Sequence, residues 1–346
     1  MKVLVLGGTG LISNAITKRM IKRGGFDITH YNRGQRTRTY DSSVATTIGD
    51  RYDHAAFVRQ MRDLQDGNQR FDVVIEMIGF KPADIESLRE SFAGRIGQLI
   101  FCSTVDVYSK PPRQYPIPDD ANQSHPAPWD YAENKARCEV ILEAAHEAGD
   151  FPVTILRPAH TYDDGGTLLH SLGGNTSYLD RLRRGLPIIT HGDGESLWTS
   201  CHAADVATAF VNACGNASAF GEGYAVPGNE WLTWNDIHRT VARAIGGPEP
   251  HIVTIPTGLL ACLTNRAHIC TVNFRYNNLF DVSRARVDLD FDPRIPFADG
   301  VKQVYDTLQK QDCITPAEAD PVWDRVLAVW EKHTATMIAE MKEDAK

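Results

Sequence analysis

Short apolar runs alternate with longer amphipathic stretches through the first half of the chain. Between the runs lie mostly helical patterns, such as the one over 14–23, where Ile16 and Met20 are spaced four apart. The apolar runs predict six strands, at 2–6, 27–31, 45–48, 71–77, 98–102 and 152–156. Near-continuous apolar strands that alternate with helices indicate a parallel sheet covered on both faces. The pattern predicts an α/β fold with a Rossmann-type doubly wound parallel sheet, which binds ligands at the carboxyl ends of its strands.

The second half of the sequence is less regular, because proline and glycine divide it into short pieces. We predict a dinucleotide-binding domain over 1–160, with a contribution from about 196–228. A smaller C-terminal substrate-binding α/β region covers most of 161–317, and a helical tail covers 318–346. Apolar residues from Trp323 to Met341 recur at helical spacing in this tail. The spacing predicts a helix that packs on its own domain.

The stretch "LVLGGTGLIS" at 4–13 places a glycine-rich turn between the first strand and a helix. Glycine lets the backbone approach phosphate oxygens closely, and the helix N-terminus offers unpaired N–H groups to an anion. Ser13 stands where a third glycine is expected, and we interpret it as a tolerated small residue. The turn predicts a dinucleotide site formed by Gly7, Thr9, Gly10, Leu11 and Ile12.

The ends of the next two strands carry further candidate cofactor contacts. Asn32 occupies the place where an acidic residue is expected to contact the ribose, and Arg33 follows it. A neutral residue with an arginine suits a 2′-phosphate, which favours NADP over NAD. Asp50 is placed to accept a hydrogen bond from an adenine amino group. Arg36 and Arg38 we interpret as parts of a solvated basic loop.

Tyr131 and Lys135 form a YxxxK pattern after the strand that ends in "FCSTVDVYS". Residues four apart share one face of a helix, so the phenol and the ammonium are expected to lie close together. A nearby lysine is expected to lower the pKa of the tyrosine, which would make it a general base near neutral pH. Ser103 and Thr104 supply hydroxyls at the carboxyl edge of the sheet.

With these elements in this order, the chain resembles the extended branch of the short-chain dehydrogenase/reductase superfamily, the NAD-dependent epimerase/dehydratase family. Four further stretches are similar to segments of that family: "GFKPADIES" at 79–87, "LRPAHTY" at 156–162, "WTSCHAADVATAF" at 198–210 and "FDVSRARVDLDFDP" at 280–293. The resemblance implies an NAD(P)-dependent oxidoreductase or epimerase that acts on a hydroxyl or ketone of a sugar or nucleotide sugar. It implies hydride transfer at the nicotinamide C4.

The resemblance also implies roles for individual residues. Tyr131 is the acid/base, Lys135 orients the ribose, and Thr104 bonds the substrate oxygen, with Ser103 the less favoured candidate for that role. The remaining cofactor contacts implied are Lys81, Ser103 and Pro158. Substrate candidates are Asp106, His160, Tyr162, Trp198, Arg181, Arg275 and Arg284.

One departure from the family's pattern narrows the reaction. The dehydratases carry Asp-Glu directly after the threonine, whereas this chain has Val105 and Asp106. Valine cannot protonate a leaving hydroxyl, so sugar 4,6-dehydration is disfavoured. The "NRG" at 32–34 is similar to an atypical subgroup, some of whose plant members are described as RNA-binding.

Composition bears on partners and compartment. The net charge is −8 in 346 residues, which argues against a nucleic-acid or anionic-membrane partner. No apolar run is long enough to span a membrane, and seven scattered cysteines are typical of a reducing, cytoplasmic compartment. No metal-ligand spacing is present, and a homodimer is a possibility by analogy. Two alternatives stay open: an NADPH-dependent ketone reductase, and a non-catalytic dinucleotide-sensing or binding protein.

Overall fold

The apolar runs of the first half form parallel strands of one seven-stranded sheet. The structure is a computed structural model that describes every residue except 37–39, 41–43, 68, 69, 122, 124–127, 164, 167 and 344–346. Arg38 therefore lies outside the described residues. The strands are β1 Lys2–Leu6, β2 Asp27–Asn32, β3 Ala45–Ile48, β4 Val73–Glu76, β5 Gln98–Cys102, β6 Val153–Pro158, β7 His160–Tyr162, β8 Ile188–His191, β9 Leu197–Trp198, β10 Ser200–His202, β11 Glu222–Val226, β12 Leu232–Thr233 and β13 Ile252–Ile255.

Helices separate most of these strands. They are α1 Leu11–Arg23, α2 His54–Asp66, α3 Pro82–Phe92, α4 Asp130–Glu147, α5 Ser177–Arg184, α6 Ala203–Ala213, α7 Trp234–Ala244, α8 Thr257–Leu263, α9 Ser283–Leu289, α10 Phe297–Lys310 and α11 Val322–Glu343. No helix in the described part of the chain is both long enough and apolar enough to cross a membrane.

The large sheet has the order β11-β6-β5-β4-β1-β2-β3, and all of its neighbouring strands are parallel. The predicted doubly wound parallel sheet is confirmed. The predicted strand 152–156 continues through Arg157 to Pro158. The apolar pattern could not include Arg157, whose guanidinium is buried by pairing with Glu139. The predicted strand 71–77 is shorter, at Val73–Glu76.

Successive residues of β1 point into two different cores, as the pleat of a strand requires. Val3 and Val5 pack with residues of α1 and α6, whereas Leu4 and Leu6 pack with residues of α2, α3 and α4. All four side chains are fully buried. The sheet is therefore covered by helices on both faces, which leaves its carboxyl edge as the place for a ligand.

The chain divides into two compact units. The first contains 1–162, 199–229 and 279–295, and the second contains 163–198, 230–278 and 296–346. The stretch 279–295 joins the first unit, although the sequence analysis assigned it to the substrate-binding region. Within the second unit, the start of α11 buries Trp323, Val326 and Leu327. Its later apolar residues Met337, Ile338 and Met341 are exposed, so the prediction of a packed tail is wrong for that half of the helix.

Ser13 fastens the start of α1 to the glycine turn. Its hydroxyl donates to the Gly7 carbonyl oxygen at 2.7 Å, and the residue is 1% exposed. Gly7 has φ +84°, and a Cβ there would lie 2.6 Å from Ile78 Cγ2, so glycine is required. Ser13 is thus more than the tolerated small residue of our interpretation, because it closes the turn by a specific hydrogen bond.

We predict that Ser13→Gly destabilises the protein, although glycine is the residue expected in the motif. The substitution removes a buried hydrogen bond and adds glycine to a helix, for a combined loss of about 1–2 kcal/mol in the free energy of unfolding. Ser13→Ala should lose about 1 kcal/mol. Urea unfolding measures both, with the exposed Lys18→Ala on the same helix as the control. A Ser13→Gly variant as stable as the native protein would contradict this contact's role.

We also predict that the second unit loses stability on acidification. Burial lowers the pKa of His170 and of His238 to about 3 and that of His191 to about 4. The unfolded chain then binds more protons than the folded chain below about pH 6.5, so stability falls as pH drops towards 4. Each histidine should account for about 2 kcal/mol between pH 7.5 and pH 5.

The measurement is urea unfolding followed by tryptophan fluorescence at the two pH values, since five of the six tryptophans lie in this unit. His170→Phe should reduce the difference in unfolding free energy between the two pH values by about 2 kcal/mol, the contribution of one histidine. The exposed His251→Gln should leave the pH dependence unchanged. A stability that is the same at both pH values would contradict the prediction.

Candidate active site

Two cavities at the carboxyl edge of the large sheet meet at the glycine turn. The β2 cavity, of about 300 Å³, is lined by Thr9 and by residues that follow β2 and β3. The β5 cavity, of about 320 Å³, is lined by the first residues of α1 and by residues that follow β4, β5 and β6. Both are lined by Gly7, Gly10 and Ile78. The turn is thus the shared wall of two neighbouring spaces, as a dinucleotide's two halves require.

The end of α1 that faces this turn has the features of a pyrophosphate site. Gly10 is the N-cap residue and makes no side-chain cap hydrogen bond, so it leaves the first N–H groups of the helix without a side-chain acceptor. A Cβ on Gly10 would lie 3.2 Å from Ser13 Oγ, which is tight. Leu11 and Ile12 line the β5 cavity, and Thr9 lines the β2 cavity. These residues fit an anionic group at a helix N-terminus.

The β2 cavity collects the candidate residues after β2 and β3. Asn32, Arg33, Arg36 and Asp50 all line it, and Arg36 is an exposed loop residue, as we interpreted it. The Asn32 side-chain oxygen accepts from the Gly34 N–H at 2.8 Å. The two arginines are exposed, and no carboxylate stands at the end of β2.

The sequence analysis missed Arg51, which also lines this cavity. Arg51 is 1% exposed, and its Nε donates to Glu76 Oε2 at 2.8 Å while Nη1 donates to Ser87 Oγ at 2.9 Å. The other Glu76 oxygen accepts from the Ile78 N–H at 2.7 Å. Because its charge is paired, Arg51 shapes the cavity wall instead of offering a free cation. The only sequence feature that could have pointed to Arg51 is its position next to the candidate Asp50.

In the β5 cavity, α4 contacts three successive residues at the end of β5. Lys135 Nζ donates to the Cys102 carbonyl oxygen at 2.6 Å. The Ser103 hydroxyl donates to the Glu139 carboxylate. Thr104 and Tyr131 both line the cavity, and a side-chain hydrogen bond from Thr104 lowers the pKa of the Tyr131 phenol. The structure thus brings together the predicted Tyr131, Lys135 and Thr104. The Ser103 hydroxyl instead donates its hydrogen bond to a buried carboxylate, that of Glu139.

Burial disfavours the charged forms of both members of the YxxxK pair. Tyr131 is 38% exposed as a residue, and burial raises the pKa of its phenol well above the usual value. The hydrogen bond from Thr104 acts in the opposite direction. Burial lowers the pKa of Lys135. The expectation that the pKa of Tyr131 is lowered is wrong for this structure, because burial outweighs the contact that favours the charged form. The Lys135 ammonium is directed to the Cys102 carbonyl oxygen.

Aromatic rings surround this pair. Phe80 and Trp129 lie 6.2 Å and 5.7 Å from the Tyr131 ring, measured between centroids. Lys135 Nζ lies 4.8 Å from the Phe80 centroid and 4.5 Å from that of Phe101, where cation–π attraction holds it. Neither Phe80 nor Trp129 was singled out in the sequence, because single aromatic residues in loops carry no periodic signal.

Pro158 lines the β5 cavity, whereas several other predicted residues line neither cavity. Lys81 is an exposed residue at the N-cap of α3, and its neighbour Phe80 lines the β5 cavity instead. Asp106 lies two residues after Thr104, and its charge raises the pKa of Tyr131. His160 Nδ1 lies 2.9 Å from Ser200 Oγ, and Arg284 pairs with Glu222.

Most of the remaining substrate candidates are buried and contact other residues of the protein core. Trp198 is 5% exposed within the second unit, with its ring centroid 4.9 Å from that of Phe274. Arg181 is fully buried and pairs with Asp324 at 2.6 Å. Tyr162 is buried, and Arg275 is exposed. Polar and aromatic residue types that serve a sugar site also serve a core, which is why the sequence could not separate them.

The chain is similar in sequence to a known plant protein. The chain is 27% identical over 265 residues to the chloroplast stem-loop binding protein of 41 kDa b from Arabidopsis thaliana. The aligned stretch covers 73% of this chain and 65% of that protein. The chain thus spans about two thirds of that relative's length.

Solved structures share the fold at low sequence identity. The dTDP-glucose 4,6-dehydratase from Bacillus anthracis, in complex with NAD, has a TM-score of 0.71 at 16% identity, covering 90% of this chain and 97% of that one. The UDP-glucose 4-epimerase from Thermotoga maritima, with UDP-glucose, has a TM-score of 0.68 at 18% identity, covering 90% and 99%.

The family model for the NAD dependent epimerase/dehydratase family matches residues 3–226. This range contains the glycine turn, both cavities' principal residues and the Thr104, Tyr131 and Lys135 set. It confirms the predicted family and an NAD(P) cofactor, whereas the preference for NADP stays a prediction. The chain belongs to the NAD-dependent epimerase/dehydratase family.

Proposed function

We propose that the protein is an NAD(P)-dependent oxidoreductase or epimerase that acts on a hydroxyl or ketone of a sugar or nucleotide sugar. The observation that carries the proposal is the placement of Thr104, Tyr131 and Lys135 in one cavity, which shares Gly7 and Gly10 with the β2 cavity. The NAD- and nucleotide-sugar-bound structures named above support the substrate class.

The residues of the two cavities divide the binding of the dinucleotide between them. The N–H groups of Leu11 and Ile12, with the open backbone at Gly10, would hold the pyrophosphate. Residues of the β2 cavity, Asn32, Arg33 and Asp50, would hold the adenosine half. Residues of the β5 cavity, Pro158, Ser103 and Lys135, would hold the nicotinamide half. When bound, the cofactor supplies a hydride acceptor or donor at C4.

Tyr131 moves the proton. Because burial raises its pKa, the phenol carries its proton at neutral pH and can donate it to a carbonyl oxygen of the substrate. Donation leaves a phenolate on Tyr131, and the Thr104 hydrogen bond stabilises this negative charge. In the direction of oxidation the phenolate accepts the proton of the substrate hydroxyl and becomes the neutral phenol again. Lys135 is fixed by the Cys102 carbonyl oxygen and would orient the ribose of the cofactor.

A second candidate is an NADPH-dependent ketone reductase. Asn32 in place of a carboxylate, with Arg33 and Arg36 on the same cavity, favours a 2′-phosphate. The protonated state of Tyr131 suits proton donation to a ketone. A reductase consumes its cofactor, whereas an epimerase regenerates it within each turnover, so net oxidation of NADPH separates the two.

A non-catalytic role has weaker support. The printed name of the Arabidopsis relative describes a stem-loop binding protein, but this chain's net charge of −8 disfavours a polyanionic partner. A protein that only senses the dinucleotide would have no need of the Thr104 and Tyr131 pair beside Lys135.

The first experiment identifies the dinucleotide that copurifies with the protein, by denaturing release and mass spectrometry. Tightly retained NAD supports an epimerase that regenerates its cofactor. An empty site, with NADPH raising the melting temperature more than NADH, supports the reductase. If neither dinucleotide is retained or stabilises the protein, the proposed function is wrong.

We predict that Tyr131→Phe lowers turnover by about 10²- to 10⁴-fold, because it removes the group that transfers the proton. Dinucleotide affinity, measured by fluorescence titration, should change little. Tyr276→Phe in the second unit is the control and should leave both quantities unchanged. Full turnover by Tyr131→Phe would exclude Tyr131 as the acid/base.

We predict that Arg33→Gln weakens NADPH binding about tenfold, the effect of losing roughly 1.4 kcal/mol of interaction with a 2′-phosphate. NADH binding should be unchanged, because the 2′-hydroxyl of NADH carries no charge. Isothermal titration with both dinucleotides measures the ratio, and Arg19→Gln on the exposed face of α1 is the control. An equal effect on both dinucleotides would remove the basis for an NADP preference.

A further inference from the structure

A buried ion pair ties α4 to the residue that precedes Thr104. Glu139 lies on α4 two turns after Tyr131, on the same face as Lys135, and is fully buried. Its carboxylate accepts a hydrogen bond from the Ser103 hydroxyl and also pairs with Arg157, whose Nη2 lies 2.9 Å from Oε2. Three residues of one helical face therefore contact three successive residues at the end of β5.

Arg157 is held in place from several sides. Its Nη1 donates to the Tyr108 hydroxyl at 3.0 Å and to the Asp119 carbonyl oxygen at 2.8 Å. Gly223 on the neighbouring strand β11 leaves room for the guanidinium, because a Cβ there would lie 2.7 Å from Nη2. Arg157 is 4% exposed, so water does not compete for these contacts. The guanidinium therefore fixes the orientation of the Glu139 carboxylate.

The orientation of the Thr104 hydroxyl decides whether it can serve Tyr131. Thr104 Oγ1 accepts from the Asp106 N–H at 3.2 Å. An amide N–H can only donate, so the hydroxyl proton of Thr104 is free to point at the phenol of Tyr131. The position of this hydroxyl depends on the backbone at Ser103, which the Ser103 side chain fastens to α4 through Glu139.

We propose that Ser103, Glu139 and Arg157 form a positioning set that aims the Thr104 hydroxyl at the Tyr131 phenol. Glu139 and Arg157 do not line either cavity of the described site, so they act through Ser103 and not on a ligand. The functional meaning of the set rests on the proposed function, in which Tyr131 transfers the proton. The geometric relation can be tested without cofactor or substrate.

The test is a titration of the phenol at position 131. Tyr131 is replaced by 3-fluorotyrosine, whose phenol is more acidic than that of tyrosine, and its ionisation is followed by fluorine NMR in the full chain without cofactor. Thr104→Val should raise the pKa of this phenol by about one pH unit, a tenfold change in its ionisation constant, because it removes the hydrogen bond to the charged form. Ser103→Ala should raise it in the same direction by at least half as much.

The double variant Thr104→Val/Ser103→Ala distinguishes positioning from an independent effect. Because Ser103 acts through Thr104, the double variant should show no larger rise than Thr104→Val alone. Glu139→Gln should also raise the pKa of the phenol, whereas a purely electrostatic effect of losing a negative charge would lower it. Glu143→Gln, one turn further along α4, is the matched control and should not raise it.

Two results would overturn the proposal. A Ser103→Ala variant that titrates as the parent does, while Thr104→Val shifts, excludes the positioning set, as do additive shifts in the double variant. If Glu139→Gln fails to fold, Ser103→Ala decides alone, because it leaves the buried ion pair intact. Failure to find any nucleotide-sugar turnover in the native protein refutes the proposed function but leaves this titration unaffected.

Discussion

The attachment of α4 to the end of β5 is the contact on which the site depends. Lys135, Tyr131 and Glu139 each bond one of the three residues Cys102, Ser103 and Thr104. Parallel strands end at one edge of a sheet, and the first two turns of this helix line the β5 cavity there together with the glycine turn. A shift of the helix by one residue would separate the phenol from the threonine, and the ammonium from the carbonyl oxygen.

Hydrogen bonds and an ion pair fix the walls of the site, whereas opposing effects set the pKa of Tyr131. The glycine turn is closed by Ser13, and the wall of the β2 cavity is fixed by the Arg51 and Glu76 pair. Tyr131, by contrast, sits where burial opposes ionisation and one hydrogen bond favours it. Such a balance makes the proton affinity of the phenol sensitive to its neighbours, including any positive charge that a bound ligand brings.

Much of the fold and of the site followed from the sequence because the signals were local. Apolar runs marked the strands, the glycines marked the turn, and a spacing of four placed Tyr131 and Lys135 on one helical face. Contacts between residues far apart in the sequence could not be predicted, above all the ion pair between Glu139 and Arg157. Lys81 was placed at the cofactor by resemblance, but α3 begins there and turns the side chain to solvent, while Phe80 lines the cavity.

The measurement that tests the account most directly is a single-turnover experiment on the protein loaded with dinucleotide. The absorbance of reduced nicotinamide is followed after mixing with a panel of nucleotide sugars and sugar ketones. The account predicts a transient or net change in that absorbance with at least one member of the panel. Dinucleotide bound at full occupancy, with no absorbance change for any member, would contradict the claim that the cavities serve hydride and proton transfer on a sugar.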